Sequence, residues 1–222
     1  MSTKAKREPF SVKDCALVTI ATGKMAQNLK EMREHLLNIH LGSIYYHFWG
    51  GLLRPRFDEP EYNNDFAEWV HHALQDNILA ERLSVIDPDP FVNLESLRHE
   101  LLEVIDQRLD EIGTLTWAKP DMQFNFVRAQ MVVFDTQGKI EEAEELVEAV
   151  SKMSVGSIFY HFIDARRRSP EMMDDFRAWL RSCGHEDLCS QVAAVDPYFG
   201  SLEELRTQLT NLFAHYFRRV SG

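Results

Sequence analysis

The sequence predicts an all-α protein built from two homologous helical modules, which we expect to pack about a pseudo-two-fold axis. Three observations support this prediction: a heptapeptide occurs twice, further matches follow it in the same order, and apolar residues recur at helical spacing. The heptapeptide is GSIYYHF at 42–48 and GSIFYHF at 156–162. We place module one at 8–111, a linker at 112–123 and module two at 124–220.

The matches beyond the heptapeptide support a duplication. EPEYNNDFAEWV at 59–70 aligns with SPEMMDDFRAWL at 169–180, which pairs Asp65 with Asp175 and Trp69 with Trp179. The other matched pairs are Gly23 with Gly138, Asp87 with Asp196 and Arg98 with Arg206. Since the order is kept, the second copy is a repeat of the first module.

Local signals indicate helices in each module. KMAQNLKEMREHLLNI at 24–39 carries one apolar stripe at helical spacing. Ser43 and Ser157 are suited to cap the helices that contain the Tyr-His segments. Ser201 and Glu204 form a capping box ahead of the last apolar stripe.

Two segments leave an alternative open. Val12–Ala21 and Phe126–Phe134 are rich in Val and Phe, which also suits a short strand. Ser11 with Asp14 resembles a helix start, so we prefer a helix for the first segment. The all-α prediction therefore includes a possible short strand at each place.

Composition narrows the function classes. The 222 residues carry a formal net charge of -11, which disfavours binding to nucleic acid or to an anionic membrane. CALVTIA at 15–21 is too short for a membrane span or a signal segment. Three cysteines do not make a disulfide framework. We expect a cytoplasmic protein with no nucleic acid or membrane partner, and its oligomeric state stays open.

Helical geometry predicts a polar cluster in each module. His47 shares an apolar face with Ile44 and Phe48, and Asp65 points toward aromatic neighbours. A carboxylate in that setting needs partners, which we expect to be His47, Tyr46 and Arg98. The corresponding residues of module two are Tyr160, His161, Asp175 and Arg206. The cluster either fixes helix packing or uses its His as a general base or metal ligand.

Module one is richer in titratable residues. Its Glu81 and Arg82 align with Ser190 and Gln191 of module two. The candidate catalytic residues of an enzyme acting on a phosphorylated or sugar substrate are therefore His47, Asp65, Glu81 and Arg82. His71 and His72 point about 100° apart on a helix, so they cannot both face one site.

We predict no metal site. CGHEDLC at 183–189 contains metal-ligating residue types, but their spacing matches no strong zinc pattern. Its cysteines align near Ala73 and Ala80, which indicates small packed positions. The sequence also lacks a phosphate-binding glycine loop and a dinucleotide fingerprint, so any cofactor stays unassigned.

Arginines follow both Tyr-His segments, in RPR at 54–56 and RRR at 166–168. Arginine suits the recognition of phosphate or carboxylate, although loop arginines also pair with acidic neighbours such as Asp58 and Glu171. We expect the partner to be an anionic small molecule or an acidic protein segment. The candidate ligand-binding residues are Tyr45, Tyr46, Arg54, Arg56, Arg98, Tyr160, His161 and Arg166.

The segments TGKMA, YYH, NDFAEW and LAERL resemble an uncharacterised prokaryotic family with a domain of unknown function. Module one carries the whole pattern, and module two is similar to a diverged copy that lacks counterparts of Asn64, Ala67, Glu81 and Arg82. The resemblance implies no established activity. A binding or regulatory protein is our first hypothesis, an enzyme with its site in module one the second, and a structural or assembly protein the third.

Overall fold

The computed structural model describes residues 8–54, 61–198 and 200–220. Its two strands are β1 (Phe10–Ala26) and β2 (Phe124–Ile140). The hydroxyl of Thr22 donates to the carbonyl of Phe126 at 2.6 Å, and that of Thr136 donates to the carbonyl of Val12 at 2.5 Å. These contacts run in opposite chain directions, so the two strands form an antiparallel sheet.

The strands show that the all-α prediction is wrong, because the fold is mixed α/β. Both segments for which a strand remained open are strands throughout, and both strands are longer than expected. Their β-branched and aromatic residues suit a sheet. Asp14 does not start a helix, since its carboxylate accepts the N–H of Cys15 at 2.7 Å within β1.

Contacts divide the chain into two compact units. We name them after the histidines of the repeated heptapeptide. The His47 unit comprises residues 17–131, and the His161 unit comprises residues 8–16 together with the described residues from 132 onward. Each unit therefore contains part of β1 and part of β2, and each sequence repeat contributes residues to both units.

Helices make up most of the His47 unit, and several of them are short. They are α1 (Leu29–Asn38), α2 (Leu41–Trp49) with a 3-10 turn (Gly50–Leu53), α3 (Asp65–Trp69) with a π turn (Val70–Leu74), α4 (Asn77–Ser84) and α5 (Leu94–Glu111). The long α5 packs against α1, α2 and α4. Fully buried side chains such as Leu36, Ile44 and Leu97 form the core between them.

The His161 unit has a comparable set of helices. They are α6 (Leu146–Lys152), α7 (Val155–Ile158) with a π segment (Phe159–Asp164), α8 (Ala165–Arg168), α9 (Asp175–Ser182), α10 (Glu186–Ala193) and α11 (Leu202–Val220). The capping box ahead of α11 is confirmed. The N–H of Ser201 donates to Glu204 at 2.7 Å, and the N–H of Glu204 donates to the Ser201 hydroxyl at 3.2 Å.

The other two predicted caps are wrong, because the Tyr-His helices begin earlier than expected. His40 caps α2 by accepting the N–H of Gly42 at 2.9 Å, and Ser154 caps α7 by accepting the N–H of Ser157 at 2.9 Å. The hydroxyl of Ser43 instead donates to the carbonyl of Val127 at 2.8 Å. This serine therefore holds α2 against β2.

The repeated glycines permit this close approach of helix to strand. A Cβ atom at Gly42 would lie 2.8 Å from the carbonyl oxygen of Ala129 in β2. A Cβ atom at Gly156 would collide with the carboxylate of Asp14 and the carbonyl of Cys15 in β1. The absence of a side chain brings each Tyr-His segment into hydrogen-bonding range of a strand.

Across the described parts of the chain, no helix combines the length and the apolar character that crossing a membrane would need.

Candidate functional site

His47 links three elements of its unit. Its side chain is 3% exposed, and Nδ1 lies 2.8 Å from Oδ2 of Asp65 on α3. Nε2 accepts the backbone N–H of Val127 on β2 at 3.2 Å. Because Nε2 is the acceptor, the proton of the neutral ring is on Nδ1 and is donated to Asp65. The imidazole thus ties α2 to α3 and to β2.

His161 makes the same link in the other unit. Its Nδ1 lies 2.8 Å from Oδ2 of Asp175, and its Nε2 accepts the N–H of Lys13 on β1 at 2.8 Å. A phenylalanine ring packs beside each imidazole, with Phe10 4.8 Å from His161 and Phe124 4.7 Å from His47. A contact that recurs in both units with its strand partner has a structural role in each.

Arg98 is not part of this cluster. Its guanidinium donates to the carbonyls of Leu36, Leu37 and Ile39 at 3.2, 2.9 and 2.7 Å. These carbonyls lie at the C-terminal end of α1, where a cation satisfies otherwise unpaired acceptors. In the His47 unit the expected cluster of Tyr, His, Asp and Arg is therefore corrected to a His–Asp pair with a strand N–H. In the His161 unit the expected Arg206 donates to the carbonyl of Met153 at 2.8 Å, and Arg168 contacts Asp175 in its place.

The remaining catalytic candidates lie outside the surroundings of His47. Glu81 is exposed on α4, and Arg82 pairs with Glu111 on α5 at 2.8 Å. Neither lines the cavity beside the His47–Asp65 pair. The structure therefore brings together only two of the four residues considered for catalysis.

The ligand-binding candidates are also dispersed. Tyr45 is buried and stacks on Trp49 at 5.2 Å between ring centroids. The guanidinium of Arg166 lies 4.7 Å from the ring centroid of Phe162 in the His161 unit. Tyr160 and His161 belong to that unit too, and Arg56 lies outside the described residues. Tyr46 and Arg54 are the two candidates that line the cavity.

An open cleft of about 510 Å³ lies beside the His47–Asp65 pair, within the His47 unit. Its helical side consists of residues from α2, α3 and the turns that follow them: Tyr46, Arg54, Asp65, Glu68, Trp69 and His72. The start of β2 and the residues just before it form the opposite side. We call this cavity the His47 cleft.

The polar side chains of the His47 cleft differ in charge and exposure. Arg54 is exposed, and its guanidinium lies 4.6 Å from the ring centroid of Tyr46. Asp65 is 21% exposed beside His47, while Glu68 and His72 are exposed. Within the part of the chain that the structure describes, the cleft therefore offers one arginine and two carboxylates to a ligand.

Aromatic residues form the floor of the His47 cleft. Trp69 and Phe124 are almost fully buried, and their ring centroids lie 5.6 Å apart. The indole N–H of Trp69 donates to the carbonyl of Met122 at 2.7 Å, which holds the start of β2 against α3. Ring packing and a hydrogen bond both hold the floor in place.

Both ring nitrogens of His47 are engaged in hydrogen bonds. Nε2 of His47 already accepts a backbone N–H, so protonation of this nitrogen would break that bond. Cys15 is buried at another place, where burial raises the pKa of its thiol to about 12, with a further rise from the nearby Asp14. Such a thiol stays protonated at neutral pH and is a poor nucleophile.

Sequence reasoning missed the β2 side of the cleft. It placed Gln123 in the linker and Phe124 and Asn125 in module two, so none was grouped with His47. Phe124 and Phe126 alternate as in a strand, which was the available signal. Across the described residues, no group of three or more His, Cys, Asp or Glu is arranged to hold a metal ion.

Comparisons with known proteins agree with an uncharacterised family, but the family match does not show the two tandem copies that the sequence predicted. A family model described as a family of unknown function (DUF5752) matches residues 7–214, a range that spans both sequence repeats. The structure of OrfY from Thermoproteus tenax is similar, with a TM-score of 0.80 and 27% sequence identity over 95% of this chain and 96% of that chain. No curated protein matches the sequence.

Proposed function

The chain belongs to this family of unknown function, and we propose from the geometry of the His47 cleft that it is a binding protein for a small molecule with an anionic group. The cleft volume of about 510 Å³ suits a small molecule. No residue outside the His47 unit is needed for this proposal, since all the lining residues belong to it.

The exposed guanidinium of Arg54 is the observation that carries the proposal. It lies over the ring of Tyr46 at the edge of the cleft. Among the described residues, no carboxylate oxygen lies within ion-pair distance of it. Arginine presents several N–H donors in a planar fork, which suits an anionic group of a ligand.

The two carboxylates of the cleft narrow the choice of ligand. Asp65 and Glu68 accept hydrogen bonds, so they favour a ligand that also carries hydroxyl or amine donors. The buried floor of Trp69 and Phe124 favours a flat or apolar part. A small polar molecule with one anionic end meets these requirements.

The enzyme hypothesis has less support. It needs His47 as a base, and both ring nitrogens of His47 are engaged in holding α3 and β2. Glu81 and Arg82, which would assist the reaction, lie outside the cleft. A structural or assembly role without a ligand is the outcome to expect if nothing binds.

Thermal unfolding with a ligand panel tests the proposal. The panel contains small carboxylates, phosphorylated sugars and nucleotides at one ionic strength. A ligand present at one hundred times its Kd should add about 2.7 kcal/mol of stability. The Arg54→Gln variant should lose the response, because the substitution removes the guanidinium at the edge of the cleft.

Arg82→Gln is the matched control. It removes the same charge from the same unit, and Arg82 pairs with Glu111 away from the cleft. This variant should respond to the ligand like the unmodified protein. A flat response of the unmodified protein across the whole panel would instead favour the structural or assembly role.

A further inference from the structure

Two arginines at equivalent positions of the two units differ in their acidic partners. The repeated segments align without gaps as GSIYYHFWGGLLR and GSIFYHFIDARRR, which pairs Arg54 with Arg168 and Gly50 with Asp164. Arg168 lies over Tyr160, with 3.9 Å between its guanidinium carbon and the ring centroid, as Arg54 lies over Tyr46. The arrangement of arginine on tyrosine is thus common to both units.

In the His161 unit the arginine binds carboxylates of its own chain. Nε of Arg168 donates to Asp164 at 2.8 Å, and Nη2 donates to Asp175 at 3.1 Å. Asp164 is 3% exposed. We call its carboxylate the built-in anion, because the chain itself supplies this buried acidic partner of Arg168. Its carboxylate and the guanidinium compensate each other's loss of hydration.

In the His47 unit the built-in anion is missing. Gly50 stands where the other repeat has Asp164, and a Cβ atom there would lie 2.7 Å from the ring of Tyr46. The ring therefore occupies the space that a side chain at position 50 would need. Arg54 keeps its place on the tyrosine, while the repeat has glycine at the position of Asp164 and retains Asp65 at the position of Asp175.

We propose that the ligand of the His47 cleft carries a carboxylate, which pairs with the exposed guanidinium of Arg54, whereas in the other unit Asp164 supplies a carboxylate to Arg168. This inference rests on the proposed binding function and specifies its ligand class. It follows from an interaction that the same chain already makes at the equivalent position.

The charges of the cleft favour a carboxylate over a phosphate. Asp65 and Glu68 line the same cavity as Arg54. Two nearby negative charges repel a doubly charged phosphate more strongly than a singly charged carboxylate. The cleft thus selects against a second negative charge on the same group.

Binding should be confined to the His47 unit. Arg168 is already bound to Asp164 and Asp175, so a free carboxylate would have to displace a buried one. One chain should therefore bind one carboxylate-bearing molecule.

NMR titration of the arginine Nε–H resonances tests the inference, with sodium lactate and sodium phosphate compared at one ionic strength. Lactate, which carries one carboxylate and one hydroxyl group, should shift the Arg54 resonance saturably and leave the Arg168 resonance unchanged. Phosphate should bind Arg54 more weakly than lactate. Arg54→Lys should weaken lactate binding by roughly tenfold, because lysine has no planar fork.

A second variant tests the same idea in the other unit. Asp164→Asn removes the built-in charge and keeps the side-chain volume. Lactate should then also shift the Arg168 resonance, and that response is measurable even if Arg54 variants fold poorly.

Three results would overturn the carboxylate assignment: no saturable Arg54 shift with lactate, tighter binding of phosphate, or equal shifts of Arg54 and Arg168 in the unmodified protein. If a phosphorylated panel ligand stabilises the protein and Arg54→Gln abolishes that response while carboxylates give none, the binding function stands without this inference. If no panel ligand stabilises the protein, the binding function fails as well.

Discussion

At the scale of single residues, the paired histidines explain why the Tyr-His segment occurs twice. Each imidazole uses one nitrogen for a carboxylate on a helix and the other for a backbone N–H of a strand. The cost of burying Asp65 or Asp175 near aromatic rings is offset by these bonds. In each unit, the Tyr-His segment therefore contains the histidine that binds a helix to a strand.

We expect His47→Ala to lower the free energy of unfolding by about 2–4 kcal/mol, since it creates a cavity and leaves Asp65 and the N–H of Val127 without their partner. Urea denaturation followed by circular dichroism measures this change. His99→Ala is the control, because His99 is exposed on α5 of the same unit and its loss should change stability by less than about 0.5 kcal/mol. A His47→Ala loss below 1 kcal/mol would contradict the structural role.

The sequence predicted the His–Asp pair because helical spacing directs both side chains inward. It could not predict the third partner, since Val127 is 80 residues from His47 along the chain. The prediction that Arg98 contacts Asp65 was wrong, because helical spacing indicates that Arg98 is buried but does not identify its hydrogen-bond partners. The carbonyls at the end of α1 become its partners only through tertiary packing.

At the scale of elements, the helices followed from apolar periodicity and the strands did not. A long part of β2, residues 132–137, is exposed at every position, so it lacks the alternation that marks a half-buried strand. The partner strand lies in the other repeat, and a local pattern carries no information about it. The signal for the strands was the abundance of Val and Phe in these two segments, and not their periodicity.

Gly42→Ala and Gly156→Ala test the contact between helix and strand. Each added methyl group meets a strand carbonyl, so each variant should lose about 1–3 kcal/mol of stability. The loss should be larger at Gly156, where the methyl group also meets the side chain of Asp14.

Gly113→Ala is the control for this comparison, since a Cβ atom at Gly113 has no neighbour within 4 Å. Its stability should stay within about 0.5 kcal/mol of the unmodified protein. Chemical denaturation of all three variants gives the comparison. Equal stability of Gly42→Ala and Gly113→Ala would show that α2 can move away from β2 at little cost.

At the scale of the whole molecule, each sequence repeat supplies strand residues to both compact units. The matched residues predicted a repeat. An alignment of the two sequence copies cannot show which helices a given strand packs on. Residues 124–131 illustrate this limit, because they follow the linker in sequence and pack in the His47 unit.

A fragment cut at the repeat boundary should therefore not fold. Residues 8–111 lack Phe124, Phe126 and Val127, which contact His47. We expect this fragment and the fragment 112–220 to show little helical circular dichroism alone and to recover it when mixed. Cooperative thermal unfolding of 8–111 alone would contradict the assignment of residues to units.

The shared strands also constrain the order in which the chain can fold during synthesis. The N–H of Lys13 can bond only after His161, 148 residues later, has been synthesised. The hydrogen bond between His47 and Val127 of β2 likewise spans 80 residues. Contacts this distant in sequence close slowly, since loop entropy must be lost before they form. Because the N-terminus leaves the ribosome first, β1 stays without its partner strand until β2 has emerged. Folding is completed only after most of the chain has been made.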